Sequence, residues 1–150
     1  MILANVVWPA LYILSRYYTW WAIGIGLVIE CVALRLLTKD SSKKAVLAVT
    51  VANLITAAVG YFTIPWITFG WEFALEYTVY QLLDVGTFNP FGWFSSILLI
   101  SAITAFPELL IIRKVFKIEL RAGAWGYWWA ANAVSVLLAF LTVLIWPIQM

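Results

Sequence analysis

The stretch YYTWWAIGIGLVIECVALRLLTKDSSKKAVLAVTVANLITAAVGYFTI, residues 17–64, decides the fold. It is two apolar runs, 17–37 and 45–64, joined by a polar link at 38–44 that holds Lys39, Asp40, Lys43 and Lys44. A helix rises about 1.5 Å per residue and needs about 20 mostly apolar residues to cross the hydrocarbon layer of a bilayer. Each run meets that length, so the stretch reads as a helical hairpin crossing a membrane twice. Its second limb is expected to end at Pro65, where the chain loses a backbone donor.

Two further apolar runs, 93–112 and 125–146, repeat the arrangement around a basic link at 113–124. The predicted fold is an all-α integral membrane protein: one membrane domain, a four-transmembrane-helix bundle with short interfacial helices. Residues 1–16 include Trp8-Pro9 and Arg16 and make a poor span, so an interfacial or re-entrant segment is expected there. No basic leader region or A-x-A-like site marks a cleaved signal peptide.

Composition supports the membrane reading. The chain has 150 residues, 65% of them hydrophobic and 11% charged. Soluble domains run at about 45–50% apolar and about 25% charged. The absence of histidine excludes histidine-ligated haem or zinc and His-based triads. Cys31 is the one cysteine; a buried apolar role is expected for it, over a thiol sensor or an acylation site. No cofactor and no metal site is expected, and a net charge of +2 gives no ground for nucleic-acid binding.

The basic residues give an orientation. Arg35, Lys39, Lys43 and Lys44 lie at the first link, and Arg113, Lys114, Lys117 and Arg121 at the third, leaving only Arg16 on the opposite side. By the positive-inside rule both links are cytoplasmic and both termini extracytoplasmic. Arg35, Lys43, Lys44, Arg113 and Lys114 are placed to meet anionic headgroups of membrane lipids. Trp20, Trp21, Trp66, Trp93 and Trp146 fall at outer ends, and Trp125, Trp128 and Trp129 at the inner start of the fourth span, as in an interfacial belt. The connection 65–92 carries Glu72, Glu76 and Asp84. Within it, Trp71, Leu75, Val79 and Leu82 share one face of an expected amphipathic helix lying on the outer leaflet.

The two hairpins resemble each other. Glu30, Arg35, Ala52-Asn53, Thr56 and Gly60 in the first match Glu108, Arg113, Ala131-Asn132, Ser135 and Ala139 in the second. Each hairpin runs out–in–out, so the pattern fits two parallel repeats about an axis normal to the membrane. Ala48, Ala52, Thr56 and Gly60 recur every fourth residue, as do Ala131, Ser135 and Ala139. That small-xxx-small spacing permits close backbone approach, and it makes the second and fourth spans the expected central pair.

The polar candidates are Glu30, Asn53, Glu108 and Asn132. Glu30 and Asn53 fall at similar depth, roughly 10–12 Å from the basic end. A carboxylate in hydrocarbon is costly, so it is expected to be protonated, paired or wet. Three roles fit the cluster: interhelical hydrogen bonds that fix register, a proton or cation relay centred on Glu30, or contact with a partner span or lipid. Glu108 is read as shallower, snorkelling toward headgroups. Pro107 just before it marks a kink. Arg35 and Arg113 stand five residues beyond the glutamates, off their helix face.

No catalytic set emerges: Gly24-Ile25-Gly26 lies inside a span, and Ser95, Ser96 and Ser101 have no base nearby in sequence. The expected function is that of a small non-enzymatic bacterial inner-membrane protein. It would act by lateral helix contacts as a subunit, assembly factor or immunity protein of a membrane complex, with a membrane-protein partner or a second copy. The alternative is a small channel or proton/cation-coupled carrier with Glu30 in the pathway.

Overall fold

The computed structural model describes Ile13, residues 20–86 and residues 89–145. Every element in them is helical. Helix α1 is Trp20–Leu37, α2 is Ser42–Leu83, α3 is Pro90–Lys114 and α4 is Ala124–Ile145. All four are long and apolar enough to cross a membrane. The expectation for residues 1–16 lies outside the described residues except at Ile13.

The links are short and capped. Ser41 accepts from the Lys44 N–H and starts α2; Asn89 accepts from the Gly92 N–H and starts α3, with Pro90 in the first helical turn. Such side chains satisfy amide groups that a helix start leaves bare. The Arg121 N–H donates to the Leu37 carbonyl at 3.1 Å, tying the second basic link to the end of α1. Gly123, at φ +80°, turns the chain into α4.

Helix α2 departs from the expected boundary. It does not stop at Pro65 but continues α-helical to Leu75, π-helical over Glu76–Tyr80, and through a last turn to Leu83, where Asp84 adopts a left-handed conformation. An interior proline costs roughly 3 kcal/mol, and tertiary packing on both sides of it outweighs that cost. The row Ala48, Ala52, Thr56 and Gly60 extends every fourth residue through Ile64, Thr68 and Glu72, and all seven are buried. The separate outer-leaflet helix is therefore part of α2. Its buried face carries Thr68, Glu72, Leu75 and Tyr80, whereas Leu82 is exposed. The π turn shifts the register by one residue, which moves Leu82 off the packed face.

Packing forms a closed ring. Helix α1 packs against α2 and α4, and α3 packs against the same two. The expected central pair is thereby corrected: α2 and α4 lie diagonally and make no close backbone approach. Short links put consecutive antiparallel helices side by side, which leaves the second and fourth on the diagonal. The small-residue rows serve other contacts. A Cβ on Gly26 of α1 would stand 3.4 Å from Ser135 Oγ of α4, so this glycine permits a close approach. Ala48 and Ala52 enter an apolar cluster at the basic end with Leu34, Leu109, Ile112 and Trp128. A second cluster, Ile13, Ile64, Ile97, Ile100 and Val136, fills the far half.

Candidate functional site

Between those two apolar clusters lies a polar layer to which every helix contributes. In α2, Asn53 donates through Nδ2 to Glu30 Oε2 of α1 and to the Val49 carbonyl one turn back. In α4, Asn132 donates through Nδ2 to Glu108 Oε2 of α3 at 3.1 Å and to the Trp128 carbonyl at 3.3 Å. The four sequence candidates are thus joined in two Glu–Asn pairs, one within each hairpin.

Glu108 does not snorkel. It is 1% exposed and accepts from Thr56 Oγ1 at 3.0 Å and Trp128 Nε1 at 3.2 Å as well as from Asn132. Three convergent donors hold it inward, where a headgroup interaction would forfeit all of them. Thr56 Oγ1 lies 3.0 Å from the Ala52 carbonyl too. A hydroxyl has one proton but can also accept, so the Thr56–Glu108 contact persists whether the carboxyl is ionised or protonated.

Glu30 is equally buried but poorly served. Among the described residues it accepts only from Asn53, and its Oε1 receives no donor. It lines a cavity of about 210 Å³ between α1 and α2, with Ile23, Gly26, Thr50 and Asn53 in the walls and Ser135 behind. Ile23, Thr50 and Leu54 are exposed at the mouth of this cavity, so it opens sideways from the bundle.

No cation balances either glutamate among the described residues. Arg35 is exposed and donates to the Asp40 carbonyl, Arg113 and Lys114 are exposed, and Lys43 is exposed beside Lys44, which pairs with Asp40 at 3.2 Å.

Sequence reasoning missed several members of the site. Trp128, assigned to the interface, is fully buried and donates to Glu108. Thr104 donates to Asn132 Oδ1 at 2.9 Å, and Trp129 donates to Ser101 Oγ at 2.8 Å. The signal was spacing: Trp128 precedes Asn132, and Thr104 precedes Glu108, by one helical turn on the same face. A second buried carboxyl, Glu72, lies in the connection 65–92. It is 6% exposed and accepts from Ser96 Oγ at 3.1 Å and Tyr80 Oη at 3.0 Å. Extending the every-fourth-residue row from Gly60 would have found it.

Comparison with protein-family models, with curated proteins and with solved structures gave no match.

Proposed function

We propose that the protein is a small non-enzymatic membrane protein that acts by lateral contact with a spanning helix of another membrane protein. It would serve as a subunit, assembly factor or immunity factor of a membrane complex. The proposed location is the bacterial inner membrane, with both basic links in the cytoplasm and both termini outside, a reading supported by the distribution of Lys and Arg. The small-residue rows are spent inside the bundle and do not support an outward contact. What supports it is an aromatic row on the outer face of α2: Phe62, Trp66, Phe69, Phe73 and Tyr77 are all exposed. They are spaced three or four residues apart, so they lie along one side of the helix. Phe73 lies 4.6 Å from Tyr77 and 6.5 Å from Phe69, centroid to centroid, so the rings form a preassembled surface. Trp66→Ala with Phe73→Ala should abolish crosslinking to the partner in native membranes while the protein still accumulates. Unchanged crosslinking would remove this face from the function.

A second reading draws on the cavity at Glu30: a proton- or cation-coupled carrier with Glu30 in the pathway. The apolar clusters above and below the polar layer favour a closed carrier state over an open channel. Proton flux into liposomes, abolished by Glu30→Gln, would support it. Flux insensitive to that substitution would refute it.

A further inference from the structure

The two hairpins supply an internal comparison for the Glu30 cavity. The offset that carries Glu30 onto Glu108 also carries Gly26 onto Thr104 and Ile23 onto Ser101. The offset that carries Asn53 onto Asn132 also carries Val49 onto Trp128 and Thr50 onto Trp129. The two sites share a framework, since in each the asparagine donates both to its glutamate and to the carbonyl one turn back.

They differ in what completes it. In the second hairpin the Trp129 indole reaches Ser101 Oγ, the Trp128 indole reaches Glu108 and the Thr104 hydroxyl reaches Asn132 Oδ1. In the first hairpin the matching residues are Thr50 with Ile23, Val49 with Glu30, and Gly26 with Asn53. Val49 and Gly26 have no side-chain donor, Thr50 keeps only a short hydroxyl where Trp129 has an indole, and Ile23 offers no acceptor where Ser101 has one. Two of the three donors are gone and the third is shortened from an indole to a hydroxyl, and space is left in their stead, since Ile23, Gly26 and Thr50 line the 210 Å³ cavity. Glu30 Oε1 and Asn53 Oδ1 receive no hydrogen bond from the described residues, and Glu30 is 1% exposed. A buried acceptor without a donor is costly, so a ligand that supplies one gains affinity on entering.

We infer that the cleft between α1 and α2 at Glu30 binds a small lipid-soluble molecule with an aromatic-sized apolar body and one hydrogen-bond donor. The size fits: a dry cavity of about 150 Å³ is enough for benzene, and this one is larger. The chemistry fits as well. The apolar walls take the body, and the Glu30 carboxyl and Asn53 carbonyl receive the donor, as Glu108 and Ser101 receive indole N–H groups in the other hairpin. Access is from the lipid side, past Ile23, Thr50 and Leu54. The inference uses the Glu30 site of the carrier reading but requires neither flux nor a protein partner, so its test fails or succeeds separately.

The probe is fluorine-labelled indole, followed by fluorine NMR on the full chain in lipid nanodiscs, with empty nanodiscs as the partition control. Saturable binding is expected, displaced by indole. N-methylindole, of similar shape without the donor, should compete about tenfold more weakly, the scale of one buried hydrogen bond. Thr50→Trp, which places an indole where Trp129 has one, should abolish the saturable signal. Should that variant not fold, Glu30→Gln provides the second readout, with an expected loss of affinity for indole and a smaller one for N-methylindole. Absence of saturable binding, equal competition by N-methylindole, or binding unchanged in a folded Thr50→Trp or Glu30→Gln protein would overturn the assignment.

Discussion

Removing the Glu108 carboxyl takes an acceptor from three donors at once: the Trp128 indole is left with none, while the Thr56 hydroxyl keeps the Ala52 carbonyl and the Asn132 amide keeps the Trp128 carbonyl. Removing Glu30 takes an acceptor from one, the Asn53 amide, which keeps its bond to the Val49 carbonyl, and leaves no donor without a partner. Interhelical hydrogen bonds in membranes are individually modest, about 0.6 kcal/mol on average, but buried orphan donors cost more. Glu108→Leu should therefore destabilise the fold by about 2 kcal/mol, and Glu30→Leu by less than about 1 kcal/mol. Unfolding equilibria in bicelles would measure both, and a larger loss for Glu30→Leu would contradict the hydrogen-bond assignment. Trp128→Phe tests the same layer from the other side. It keeps most of the buried aromatic volume but removes the indole donor and part of the ring, with an expected cost of about 1–2 kcal/mol in the same assay. At this scale the sequence exposed the charged members, because an ionisable residue inside a span is conspicuous. It hid the neutral ones, because tryptophan, serine and threonine have ordinary uses in any span. Which of the two matched carboxyls is well served depends on the faces that Trp128 and Thr56 occupy, and these are not legible in the sequence.

Helix α2 shows what an element-scale reading captures and where it fails. Its length in the apolar zone follows from composition, but its end does not. Pro65 was read as a stop, since local sequence shows the missing donor and not the packing of Ile64, Thr68 and Glu72 that carries the helix past it. The same local view puts Trp71, Leu75, Val79 and Leu82 on one face of a separate amphipathic helix. The burial of Glu72 depends on Ser96 in another helix and on Tyr80 across the π turn. Spin labels at exposed Ala58 and Ala74 in a Cys31→Ser background test the continuity of α2. A straight helix separates those backbones by about 24 Å, and a dipolar distance distribution centred well below that value would mean that the chain folds back at Pro65. Replacing Ser96 with Val should leave Glu72 one donor short and weaken the α2–α3 contact at the far end, seen as faster amide exchange in α3 near Pro90 than near Lys114.

At the scale of the whole molecule, the ring α1–α2–α3–α4 maps onto itself when the two hairpins are exchanged, as a parallel repeat requires. The four long apolar helices and the matched polar positions were legible in the chain, because apolar runs and periodic small and ionisable residues survive as sequence patterns. The diagonal placement of α2 and α4 was not, because a small-residue row marks a close contact without naming its partner. The polar layer and its apolar flanks account for register and closure. Action on the surroundings is left to the outer surface, and the aromatic row of α2 is the part of that surface on which the functional proposal depends. The most direct test is photocrosslinking in native membranes from a reactive phenylalanine analogue at Phe73, with the same analogue at exposed Val28 of α1 as the control. The lateral-contact account predicts one discrete polypeptide adduct from position 73, lost with Trp66→Ala, and none from position 28. Lipid adducts alone from both positions would contradict it.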